Sequence, residues 1–138
     1  MTTMTASEKR AESKAKYNAF LAVCPSQKLL DRISNKWVTL ILTALGSGPD
    51  CAGTAGALRY SELSRTLAGV SPKMLTQTLR SLEADGLVSR TATPTVPVTV
   101  SYELTELGLS LQYTIRGLKS WAETYMDEVL ANRQKSIA

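Results

Sequence analysis

A chain of 138 residues is long enough for one compact domain with its own core and too short for two comfortable ones. Apolar residues at 43% and charged residues at 20% exclude a disordered or fibrous protein, and with no histidine and two cysteines the commonest general base and a four-thiolate zinc site are excluded as well. The net charge of +4 favours an anionic partner without naming one, and we expect no catalytic residue, no metal site and no cofactor.

Residues 1–7 show no apolar periodicity and are expected to be disordered. The start, MTTMTASEKRAESKAK, has no apolar stretch after its charges and so lacks the pattern of a secretory signal. The longest nearly apolar run, 37–45, is well short of the roughly 20 residues that cross a bilayer. A cytoplasmic protein without a membrane partner is expected. Over 8–23 good helix formers alternate with Tyr17, Phe20 and Leu21, predicting a polar helix whose apolar side appears near its end and needs a partner surface. Cys24-Pro25 breaks it, and Pro25 suits the first turn of a second helix carrying Leu29, Leu30 and Ile33. Trp37, Leu40, Ile41, Ala44 and Leu45 then predict the core helix, stopped at Gly46. The segment GSGPDCAGTAGA, 46–57, reads as a flexible loop.

LRYSELSRTL predicts a short helix capped by Ser61 with Leu63 and Leu67 facing inward. The stretch after it, GVSPKMLTQTLRSLEADGLV, carries most information. Ser71 is a natural N-cap, Pro72 fits the first helical position, and Gly86 can close the helix in a left-handed conformation. At about 100° per residue Leu75, Leu79 and Leu82 form one buried stripe, with Lys73, Gln77 and Arg80 opposite and Thr76 and Ser81 flanking them. A helix fits the DNA major groove, where Gln pairs with adenine and Arg or Lys with guanine. The plain alternative is the solvated face of an amphipathic helix. Two β-prone runs, 87–91 and 98–104, follow around a proline-containing tip, with Arg90 near the base of this hairpin. Short helix, Gly-containing turn, polar helix and hairpin is the order of a winged helix-turn-helix. Thr105 then caps a long helix ending near Arg133. Its Leu111, Ile115, Leu118, Ala122, Tyr125 and Val129, alternately four and three apart, suit either packing within one subunit or a dimer seam.

Four stretches in order, CPSQKLLDRISNKW, LRYSEL, GVSPKMLTQTLRSLEADGLVSR and VPVTVSYELTELGLSL, resemble the HxlR-type winged helix-turn-helix transcriptional regulators of bacteria, a MarR-like family, across 24–121. The resemblance implies a mainly α fold with a small β-hairpin in a single domain, 8–133, followed by a frayed tail, 134–138. It implies a recognition helix at 71–85, a wing at 88–104, and N- and C-terminal helices, the latter 105–133, that form a homodimer interface. A two-fold dimer demands a pseudo-palindromic operator in double-stranded DNA, with recognition helices roughly 34 Å apart. The residues expected at DNA are Ser71, Lys73, Met74, Thr76, Gln77 and Arg80 on the recognition helix, with Ser61, Lys36, Arg90 and Thr93 around it. Two features depart from the family pattern. The chain inserts DCAGTAGA, 50–57, and its wing tip, TATPTVP, is poor in charge, so wing contacts are expected to run mostly from backbone and hydroxyls to phosphate.

Cys24 lies at a helix start, where unpaired amides and the helix dipole stabilise a thiolate. It is the candidate redox sensor, and some members of the resembled family sense oxidants or electrophiles through a cysteine at this position while others do not. The plain alternative is a small buried residue at the dimer seam. Nothing in the spacing supports a bridge from Cys24 to Cys51. The expected function is a sequence-specific DNA-binding regulator acting as a homodimer and responding to an oxidant, an electrophile or a small ligand. The alternatives are a winged-helix protein-interaction module without DNA binding, and a small-molecule pocket at the dimer seam around Trp37, Tyr113 or Trp121, aromatics that otherwise belong to a core.

Overall fold

The computed structural model describes residues 3–47 and 55–137. Its contacts divide the chain into two compact units, Met1–Lys36 and Trp37–Ala138. The first unit holds α1 (Ala6–Val23) and α2 (Pro25–Ile33), which pack on each other. The described side chains of α1 are exposed and α2 buries none.

Helix α1 starts before the expected residue 8 because Thr5 and Glu8 cap it reciprocally. The Glu8 amide donates to Thr5 Oγ1 at 3.1 Å, and the Thr5 amide donates to Glu8 Oε2 at 2.7 Å. The apolar residues near its end, Tyr17, Phe20 and Val23, remain 62%, 63% and 70% exposed.

Helix α3 (Lys36–Ser47) leads into the second unit. Its buried side is Val38, Ile41, Leu42, Ala44 and Leu45, whereas Leu40, expected inside, is exposed. Gly46 does not stop it, because Gly46 is buried in helical conformation against the Gln112 side chain. Of the expected loop, 48–54 with Cys51 lies outside the described residues, and 55–57 has no regular structure.

The strand β1 (Leu58–Arg59) was not expected. Leu58 pairs with Tyr102 and Arg59 with Ser101, and two residues carry no periodicity from which pairing can be read. Helix α4 (Tyr60–Thr66) follows directly, so its N-cap is Arg59 and not Ser61. The Glu62 carboxylate reaches back to the Arg59 amide at 3.2 Å and to its guanidinium Nε at 3.3 Å. The turn at Ala68-Gly69, with Gly69 at φ 89°, leads into α5 (Pro72–Ala84). Strands β2 (Val88–Thr93) and β3 (Thr99–Leu104) form the hairpin, giving a three-stranded antiparallel sheet in the order β1-β3-β2.

Ile41, Leu42 and Leu45 of α3, Leu63 of α4, the three leucines of α5 and Val88 are all but sealed from solvent. Each such side chain stabilises the fold by about 1.5–3 kcal/mol through area removed from water. Thr105 joins the end of α5 to the start of α6 (Glu106–Ile137). Its hydroxyl donates to the Gly86 carbonyl at 2.6 Å and accepts from the Gly108 amide at 3.1 Å. Helix α6 continues past the expected end near 133. Gly108, Gln112 and Ile115 are buried in its first part, while Leu118, Trp121, Tyr125 and Val129 further along are exposed. Tyr113 and Trp121 are therefore not core residues of this chain: they are 75% and 53% exposed, and the Trp121 ring lies 5.3 Å from that of Tyr125. No helix among the described residues is long and apolar enough to cross a membrane.

Candidate nucleic-acid interface

Helix α5 is set by local chemistry at both ends. The Ser71 hydroxyl accepts from the Met74 amide at 3.1 Å, Pro72 needs no amide partner at the first turn, and Gly86 adopts φ 76° just past the Asp85 C-cap. Leu75, Leu79 and Leu82 are 0%, 1% and 2% exposed, which fixes the rotation of the helix and turns Lys73, Gln77 and Arg80 outward. Thr78 joins the buried side, its hydroxyl donating to the Met74 carbonyl at 2.7 Å so that no polar group is orphaned.

Met74 and Thr76 are half-buried, not fully outward. Thr76 faces Tyr60: the two hydroxyls lie 3.2 Å apart, and the Tyr60 hydroxyl also donates to the Pro72 carbonyl at 3.3 Å. Tyr60 thus ties the first turn of α4 to the first turn of α5 and sets how the polar helix is presented. It was missed as a site residue, although a tyrosine at a helix start, apolar in body and polar at its tip, is a signal of this use.

Two hollows border the hairpin, and one of them is walled by α5. One, of about 330 Å³, lies among Thr76, Arg80, Glu83, Arg90 and Tyr102. The other, of about 410 Å³, brings Ser61 together with Arg59, Tyr60, Arg90 and the wing residues 98–100. Arg90 stands opposite Tyr102 in the hairpin and borders both, so it links a hollow that holds Arg80 beside Glu83 to one that holds Arg59, whose guanidinium is paired with Glu62. Arg59 was also missed, because only the pairing of β1 carries it there. Thr93, paired with Thr99, lies further out on the exposed wing. At the tip the Thr95 hydroxyl donates to the Pro97 carbonyl at 2.8 Å. Lys36, the first residue of α3, is exposed and belongs to the first compact unit.

Cys24 is the N-cap of α2, in extended conformation and half-buried, with a free thiol. The backbone amides of Gln27 and then Ser26 hold that thiol below its ordinary pKa, partial desolvation opposes them, and the Ser26 side chain adds to the lowering. Among the described residues no group of three or more His, Cys, Asp or Glu is placed to hold a metal.

The helix-turn-helix of α4 and α5 with its attached wing lies inside a segment, 32–130, that matches the model of the HxlR-like helix-turn-helix family. The chain belongs to that family. This HxlR-like chain is 40% identical over 121 residues to the uncharacterized HTH-type transcriptional regulator YtfH of Escherichia coli (strain K12), covering 88% of this chain and 90% of that one. Among solved structures it is similar to ytfH from Salmonella typhimurium, at TM-score 0.69 and 40% identity over 83% of this chain and 96% of that one. It is also similar to the redox regulator HypR in its reduced form, at TM-score 0.69 and 32% identity over 78% and 99%. The HxlR-like chain is therefore a winged helix-turn-helix protein whose relatives are transcriptional regulators.

Proposed function

We propose that this HxlR-like chain is a sequence-specific DNA-binding transcriptional regulator that acts as a homodimer on a pseudo-palindromic operator. The observation that carries the reading is α5, whose sealed leucines leave Lys73, Gln77 and Arg80 exposed, with Arg90 of the hairpin bordering the hollow beside Arg80. In this reading Gln77 and Arg80 meet base edges, while Lys73, Arg90 and the hydroxyls of Ser61, Ser71 and Thr93 meet phosphates. The dimer is supported by the apolar residues left exposed along the second half of α6 and at the end of α1.

The deciding measurement is promoter affinity across salt concentrations. Neutralised phosphates impose a log-log slope of about −0.9 each. A flat response would favour the protein-interaction module, the reading that the uncharged wing tip supports.

Cys24 is proposed as the residue that responds to an oxidant or electrophile. Its lowered pKa and incomplete burial support this, as does similarity to a structure described as a redox regulator. Because the folded-state pKa lies below the ordinary value, the thiolate persists to lower pH than in the unfolded chain. In a Cys51→Ser background, alkylation of Cys24 should therefore rise at lower pH in folded than in unfolded protein. Oxidant treatment should alter DNA binding by the wild type and not by Cys24→Ser. An equal oxidant response in that variant would remove Cys24 from the mechanism.

A further inference from the structure

One face of the hairpin changes character along its length. Arg90 and Tyr102 are cross-strand partners, and each lies two residues along its strand from the paired Val88 and Leu104, so all four side chains leave the sheet on the same face. Val88 and Leu104 are buried in the core and Arg90 is exposed. Tyr102 stands at the boundary: it is only 9% exposed, yet it lines both hollows beside the hairpin. Its hydroxyl has no hydrogen-bond partner among the described residues. Gln112 Nε2 is the one buried side-chain polar atom among them that is both sealed and without a partner, so the Tyr102 hydroxyl, unpartnered but not sealed, opens on the hollows. A tyrosine sunk this far normally finds a partner for its hydroxyl, and one that does not marks a place where an acceptor belongs.

The charges around the hydroxyl define that acceptor. The Arg90 side chain makes no ion pair or hydrogen bond among the described residues, so its charge is uncompensated. Arg59, in the first hollow with it, already gives its Nε to Glu62 at 3.3 Å. The second hollow contains the Glu83 carboxylate, which repels an anion, whereas no carboxylate lines the first, where the exposed Ser61 joins Arg90 and Tyr102. An uncompensated guanidinium, a hydroxyl donor beside it and no lining carboxylate match an acceptor-only monoanion, and a phosphodiester is one. Through Arg90 and Tyr102 the site is continuous with Thr76 and Arg80 of α5, the surface proposed to meet bases.

We propose that Tyr102 and Arg90 together hold one backbone phosphate of bound DNA, the Tyr102 hydroxyl donating to one non-bridging oxygen and the Arg90 guanidinium to the other. Such a contact carries no base information, but it fixes the register of α5 on the duplex. The assignment of Tyr102 rests on the reading of the chain as a DNA-binding regulator.

The test pairs the hydroxyl with individual phosphates. A promoter duplex bound by the full chain is scanned with a methylphosphonate at one position at a time, which removes one phosphate charge and one acceptor, and each duplex is titrated with the wild type and with Tyr102→Phe. On unmodified DNA, Tyr102→Phe should bind operator and random duplexes alike about tenfold more weakly. Its salt slope should be unchanged because no charge is lost, whereas Arg90→Met should lower the slope by about 0.9 per bound subunit. At one phosphate in each half-site the methylphosphonate penalty should shrink about fivefold or more in Tyr102→Phe, and elsewhere it should stay as in the wild type. Tyr102→Phe should melt no lower than the wild type, because the ring remains and the hydroxyl had no partner to lose. Unchanged DNA affinity in Tyr102→Phe, or a penalty that shrinks at no position, would overturn the phosphate contact, and weaker binding accompanied by a lower melting temperature would assign the hydroxyl to the fold. Absent or salt-independent DNA binding by the wild type itself would instead overturn the reading of the chain as a regulator, and the contact with it.

Discussion

Helices α5 and α6 carry the same kind of apolar stripe to different ends. In α5 Leu75, Leu79 and Leu82 are no more than 2% exposed, so the stripe is consumed by the subunit's own core and the polar face is left for a partner. In α6 the stripe is consumed only as far as Ile115, at 4%, and beyond it Leu118, Tyr125 and Val129 are 59%, 45% and 43% exposed. One helix thus offers an outer polar surface and the other an outer apolar one. In the proposed reading the first meets DNA and the second meets another copy of the chain.

The contrast breaks most severely at Leu79. Leu79→Ala should cost about 2–5 kcal/mol in denaturant unfolding, because a side chain 1% exposed leaves a cavity that a packed core closes only in part. Leu118→Glu should instead leave the unfolding of the subunit nearly intact and shift sedimentation toward monomer, with a loss of about 2 kcal/mol or more in dimer affinity if Leu118 lies at the centre of the seam. Equal loss of fold in both variants would erase the distinction between the stripes.

On the polar side, Arg80→Ala and Gln77→Ala should each cost about 1–3 kcal/mol of discrimination between operator and random DNA. Lys73→Ala should mainly reduce the salt slope by about one unit. Equal losses on specific and random DNA from all three would show that α5 does not read bases. Tyr60→Phe gives the smallest expected effect. It removes the hydroxyl linking α4 to Pro72 and Thr76 and should lower stability by about 0.5–1.5 kcal/mol, with a modest loss of operator affinity from misplacement of α5.

The elements legible beforehand are those whose causes are close in sequence. The Ser71 cap, Pro72, the three leucines, the turn at Gly86 and the Thr105 cap all act within a turn or two of the residues they order. The misplaced elements depend on distant partners. Ser61 looks like a cap until β1 pairs with β3 and hands that position to Arg59. Leu40 fits the periodicity of α3 as well as Val38 and Leu42 do, and only packing chooses the buried side. The role of Tyr60 needs Thr76, sixteen residues away, and the orphaned amide of Gln112 needs the close approach of Gly46.

By itself the sequence determined the helix-turn-helix, the orientation of α5 and the residues on its outward face, because periodicity and caps are written into contiguous residues. The tertiary structure decided the three-stranded sheet, the meeting of Arg59 and Arg90 in one hollow, and the division of α6 into a buried and a bare half. Each of these is a meeting of residues far apart along the chain, and it exists only once hydrophobic burial has closed the loops between them.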